Sequence, residues 1–123
     1  MATADFPDVF AELKGFLSSH EQELVLVHDK EDNYYLDCPH DPFGKGKAHY
    51  FGSVTIRRNY VSFYLMPVYT HPELLDDISD NLNKRSQGKS CFNFKMKEEG
   101  LFDELRALVN KGVEKYKEVG YMS

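Results

Sequence analysis

The chain contains no tryptophan, two cysteines in 123 residues and no excess of positive charge. Each shortage excludes something. Cys38 and Cys91 form neither a disulfide framework nor a Cys-x-x-Cys pair, so they read as reduced thiols of a cytoplasmic protein. A formal net charge of −5 argues against nucleic acid as a partner, because a general binder needs a basic face to release counterions. No apolar run approaches the roughly 20 residues that cross a bilayer. The opening MATADFPDVF also lacks the basic start and apolar stretch of a secretion signal. Neither membrane nor export is therefore expected. What the chain does have is rings: nine Phe and eight Tyr, within a hydrophobic share of 41%. That suffices for one core, and the length suits one domain.

Periodicity orders the elements. Phe6, Val9, Phe10, Leu13, Phe16 and Leu17 lie along one side of a helix from Pro7 to about Ser19, with Pro7 in its first turn. Two strand-like runs, Leu24 to His28 and Tyr34 to Cys38, flank five turn-formers from Asp29 to Asn33 and predict a hairpin. PHDPFGKGK, Pro39 to Lys47, is a loop. Period-two alternation from about Ala48 to Arg57 and from Tyr60 to Met66 predicts an antiparallel pair. Its turn is Arg58-Asn59, where Asn tolerates positive φ. Thr70-His71-Pro72-Glu73 has the form of a capping box, and Leu74, Leu75, Ile78 and Leu82 supply the buried side of a helix. Ser79-Asp80 breaks that helix and caps a second short one. Cys91 to Phe94 reads as a further strand, and Glu98 to Val119 as a long amphipathic helix. The fold class is α+β: a helix, four antiparallel strands, a broken helix, a strand and a C-terminal helix. The helices pack on a mainly antiparallel sheet.

The run NKRSQGKSC, Asn83 to Cys91, ends like a phosphate-binding P-loop. Its first motif position holds Asn83 instead of glycine, and the order of elements is inverted. A P-loop joins a strand to a helix whose first N–H groups face the phosphates, whereas here a helix precedes Gly88 and a strand follows Ser90. Gly88 reads as a left-handed helix terminator, with Lys84, Arg85 and Lys89 beside the carbonyl end. It is not a nucleotide loop.

NYVSFYLMP (Asn59 to Pro67), HPELLDDISDNLNKR (His71 to Arg85), GKSCFNF (Gly88 to Phe94) and the closing helix together resemble the YdhG/YdeI-like family of small bacterial proteins of unknown function. The likeness runs from about Tyr50 to Tyr116 and stops before residue 48, where the family's Lys-Met-Pro-Tyr-Gly type segment has no counterpart. It implies a compact α+β fold sometimes compared with frataxin, an iron-handling protein. It implies no catalytic residues.

Three function classes compete. An iron-handling protein needs oxygen-rich ligands, which Asp29, Glu31 and Asp32 would offer, although such a run is also what an exposed hairpin turn looks like. Cys38-Pro39-His40-Asp41 has no zinc spacing, and no cofactor is expected. A thiol enzyme would use Cys91 with its pKa lowered by nearby Lys89. No His is tied to it, and Cys91 equally suits a small apolar filler. The third class is a non-enzymatic module that binds a small ligand or a protein, a second copy of itself included. Neighbours on a strand point to opposite faces, so Phe63 and Tyr64 cannot share a core layer, and both sheet faces must carry rings. One face lies under the helices. The other, with Tyr50, Tyr64, Arg57 and Lys89 as its ligand-contact candidates and Arg58, Lys45 and Lys47 along its rim, is a pocket, an interface or a second covered layer. The binding module is the leading reading.

Overall fold

Along the strands, large apolar side chains alternate with small polar ones and tyrosines, which makes one sheet face oily and the other wet. The computed structural model describes residues 2–44, 46, 49–88 and 90–122, with side chains from residue 6 onward. Helix α1 (Ala2–Ser18) leads through a 3₁₀ turn (Glu21–Glu23) into strands β1 (Val25–Lys30) and β2 (Asn33–Asp37). Strands β3 (Tyr50–Ile56) and β4 (Val61–Leu65) follow, then helix α2 (Met66–Thr70), a 3₁₀ turn (Pro72–Leu75) and helix α3 (Asp80–Asn83). The chain closes with β5 (Ser86–Gln87), β6 (Cys91–Phe94) and the long helix α4 (Glu99–Val119). All six strands pair antiparallel in the order β1-β2-β3-β4-β6-β5. The result is a single α+β domain, as the periodicity predicts.

The inner face carries Tyr34, Leu36, Val54, Phe63, Leu65, Phe92 and Phe94, all buried. Against it lie the apolar stripes of α1 (Val9, Leu13, Phe16, Leu17) and α4 (Phe102, Leu105, Val109, Tyr116). Phe102 joins the layers: it meets Phe16 edge-on at 5.9 Å and Phe94 edge-on at 4.9 Å. Edge-to-face rings add about 0.5–1.5 kcal/mol per pair to the area they bury, which holds both helices on this side.

Several sequence expectations need correction. Helix α1 starts at Ala2, so Pro7 lies within it instead of in its first turn. Lys30 pairs with Asn33, which shortens the first hairpin turn from five residues to Glu31-Asp32. Asn59 has no positive φ, since among the described residues only glycines do; the turn closes through the Arg57 N–H to the Tyr60 carbonyl at 2.8 Å. Thr70 caps nothing. Helix α2 starts at Met66 directly after β4, with Pro67 in its first turn, so Thr70 ends that helix and its hydroxyl meets the Tyr116 hydroxyl at 2.7 Å. A cap there would also have faced Pro72, which has no N–H. The break at Ser79 is as expected, its hydroxyl accepting from the Leu82 N–H and starting α3. Of the expected buried side only Leu82 is fully covered, while Leu74, Leu75 and Ile78 are partly so. Gly88 does not end a helix. That helix stops at Asn83, and Gly88 (φ 77°) opens the turn between β5 and β6, a strand pair absent from the sequence reading. The P-loop reading still fails, because β6 follows.

Gly52 is where the sheet is tightest. A Cβ there would lie 2.7 Å from the Tyr64 carbonyl oxygen, with Leu17 of α1 above it. At exposed Gly15 in α1, an added methyl group would meet nothing within 4 Å. Gly52→Ala should therefore lower stability by about 1–3 kcal/mol through overpacking. Gly15→Ala should raise it by about 0.5–1 kcal/mol through helix propensity. Urea unfolding of the two variants checks the opposite signs.

Candidate functional site

With both long helices on the inner side, the outward residues of β2, β3, β4 and β6 form three rows that cross the strands. The first is a ladder of small polar groups, where register places Asn33 opposite Thr55, Thr55 opposite Ser62 and Ser62 opposite Asn93. The Thr55 hydroxyl donates to Asn33 Oδ1 at 3.2 Å, and the Ser62 hydroxyl donates to Asn93 Oδ1 at 2.8 Å. The Asn93 amide then donates to Gln87 Oε1 at 2.7 Å, which carries the ladder to β5. The second row runs Tyr35, Ser53, Tyr64, Cys91. Tyr50 stacks on Tyr35 at 4.7 Å and shares a hydrogen bond with Ser53. The third row lies past the ladder, at the β3–β4 turn: Arg57 and Tyr60, with Lys95 two residues beyond Asn93.

Three shallow hollows join along these rows. One of about 370 Å3 is lined by Asn33, Tyr35, Tyr50, Ser53, Thr55, Arg57 and Tyr64. Its neighbour, about 320 Å3, shares Arg57 and Tyr64 and adds Tyr60, Ser62, Gln87, Cys91 and Asn93. The third and largest, about 500 Å3, shares Tyr60, Gln87 and Asn93 and reaches Lys84, Arg85, Ser86, Lys95, Met96 and Glu98. Together they make one trough from β2 to β5.

Arg57 stands at the junction of the first two hollows, where its guanidinium donates to the Tyr64 hydroxyl at 3.0 Å. Burial raises the Tyr50 hydroxyl above the ordinary phenol range, so it remains a neutral donor. Arg85 is bound by a two-pronged contact to Glu98, at 2.7 and 2.6 Å, which ties β5 to the start of α4. Among the described residues Arg57, Lys84 and Lys95 have no ion-pair partner.

Three of the four ligand-contact candidates come together. Tyr50, Tyr64 and Arg57 line one hollow, while Lys89 lies outside the described residues. Of the rim, Lys45 and Lys47 also lie outside them, and Arg58 is exposed at the turn but lines none of the three hollows. The acidic candidates point elsewhere. Asp29 is paired with Lys14 at 2.8 Å, Glu31 and Asp32 form the exposed hairpin turn, and among the described residues no three potential ligands are gathered to hold a metal ion. Sequence reasoning missed the polar ladder. Its signal was present as Asn33, Thr55, Ser62 and Asn93 at alternate strand positions, but the register that aligns them belongs to the fold.

Cys91 sits half-buried in the tyrosine row. Burial pushes its thiol up, more than the Tyr64 and Ser62 hydroxyls and the Arg57 guanidinium pull it down. Cys38, deeper still, is pushed up to about 12. Both shifts run away from the lowered value that a thiol enzyme would need, while Lys89 lies outside the described residues. At pH 7.5 iodoacetamide should therefore modify both more slowly in the folded than in the urea-unfolded protein. The Cys91 rate should climb as pH rises, because a raised pKa leaves less thiolate at neutrality. Mass spectrometry of the alkylated peptides reads both effects.

Neither a family's sequence model nor a curated protein nor a solved structure matches the chain.

Proposed function

We propose that the protein is a non-enzymatic binding module of the YdhG/YdeI-like kind whose ligand lies on the outer face of the sheet. One observation carries this: a row of tyrosines and a satisfied polar ladder line a continuous trough on the side of the sheet away from α1 and α4. A face of this composition offers ring area and directional hydrogen bonds together, which is the usual make-up of a recognition surface. The thiol in the same row is met by an amide oxygen instead of a base: Cys91 Sγ lies 3.4 Å from Asn93 Oδ1, and burial pushes its pKa up. The metal-handling alternative draws no support from the acidic turn, where Asp29 is already engaged by Lys14.

Tyr64→Ala tests the reading. Amide NMR shifts on adding the neutral blocked peptide acetyl-Ser-Tyr-Ser-amide should cluster at Ser53, Ser62, Tyr64 and Cys91. The variant should lose those shifts while its stability changes by about 1 kcal/mol or less, as for a half-buried surface residue. Parallel loss of stability and of binding would reduce the row to packing.

Self-association is a second reading, favoured by the opposite edge of the sheet. On edge strand β1, Val25, Leu26 and Val27 are 46%, 42% and 43% exposed, an apolar run beside unpaired strand hydrogen-bonding groups. Such edges pair readily with another chain. Sedimentation equilibrium should then show a dimer that Val27→Lys converts to monomer; a monomeric parent protein removes this reading.

A further inference from the structure

The outer-face trough has a charge and a length, and both restrict what fits. Of the side chains lining its three hollows, four are cationic (Arg57, Lys84, Arg85, Lys95) and one is a carboxylate, Glu98, which is already bound to Arg85. Among the described residues the other three cations are without an ion pair, in a chain whose net charge is −5. Cations thus outnumber carboxylates along this trough of an acidic protein, with Asp37 beside Tyr35 at its β2 end, and the local field around Arg57, Lys84 and Lys95 favours an anion. The trough extends from β2 to β5, across four strand spacings of about 4.8 Å each, or roughly 19 Å. That is the reach of about six residues of extended chain. Beside the cations, the Asn33–Thr55–Ser62–Asn93 ladder presents amides and hydroxyls at the same spacing, suited to peptide N–H and C=O groups.

Resting on the binding-module reading, we propose that the trough takes an extended acidic peptide segment, with carboxylates on Arg57, Lys84 and Lys95 and its backbone over the polar ladder. A peptide is favoured over a single nucleic-acid strand by the rings themselves. Tyr35 and Tyr50 stack on each other, and Tyr64 is held through its hydroxyl by Arg57, so successive ring faces are not laid open as base platforms. The exposed Met96 at the cationic end adds an apolar contact for a side chain of the segment.

Fluorescence anisotropy with fluorescein-labelled hexaglutamate tests this on the intact chain. Binding should saturate and should weaken by about tenfold between about 0.05 and 0.3 M salt, because the cations are exposed and screened. The double variant Arg57→Gln/Lys95→Gln should weaken it by about tenfold or more. Lys111→Gln, on the exposed side of α4, should change it less than about twofold. All three positions are exposed, and circular dichroism confirms the fold of each variant. Tighter binding of labelled hexauridylate than of hexaglutamate would overturn the peptide assignment in favour of a nucleic-acid strand. Hexaglutamate binding that ignores the double variant would place the anion elsewhere and overturn the proposal. If the neutral blocked peptide shifts the outer-face resonances and hexaglutamate does not, the acidic assignment fails and the binding module stands. If neither does, both fail.

Discussion

Everything in this domain follows from the placement of its two long helices on the same side of one sheet. Phe102 is the pin, meeting Phe16 of α1 and Phe94 of β6 edge-on, and around it the inner rings of every central strand are sealed from water. A six-stranded sheet with both helical stripes spent on one face has no apolar cover left for the other. The outer residues must therefore satisfy one another or water. They do so through hydrogen bonds across strands, and no buried side-chain nitrogen or oxygen among the described residues is left without a partner.

That self-satisfaction shapes the chemistry of the outer face. Thr55 bonded to Asn33, and Ser62, Asn93 and Gln87 bonded in sequence, hold their neighbours in fixed orientations, so little ordering is left for a ligand to impose. Arg57 is braced against a neutral phenol, not a carboxylate, and keeps its full charge for an incoming group. The half-buried thiol in the same row has its pKa pushed up by burial and forms a weakly polar wall. Preorganised polarity of this kind is what the proposed binding role draws on.

Much of this was legible in the residues. Helix stripes, strand alternation and the split of Phe63 from Tyr64 follow from periods of 3.6 and 2, which are local properties. The failures are also local, but each depended on a competitor that the window did not show. The Thr70 capping box lost to an earlier helix, which begins at Met66 with Pro67 in its first turn and uses Thr70 as its end. The cations around Gly88 suggest a helix end, yet its positive φ serves a hairpin, because the Asn93 N–H reaches the Arg85 carbonyl and zips β5 onto β6. The site divides in the same way. Tyr50, Tyr64 and Arg57 could be chosen as outward residues one strand at a time. The ladder joining Asn33 to Asn93 required the pairing of four strands, two of them far apart in the chain, and no single stretch encodes that.

Gly52 shows what the inner packing leaves free. With the Tyr64 backbone and Leu17 closed around it, that point of the sheet tolerates no added atom, whereas the side chains a few ångströms away on the opposite surface bear no load from above. Packing against the helices is thus assigned to one side of the strands, and the other side is left free of that task. Mutational drift is confined on one surface and unhindered on the other, so a scaffold of this kind is able to exchange its outer side chains without relearning how to fold.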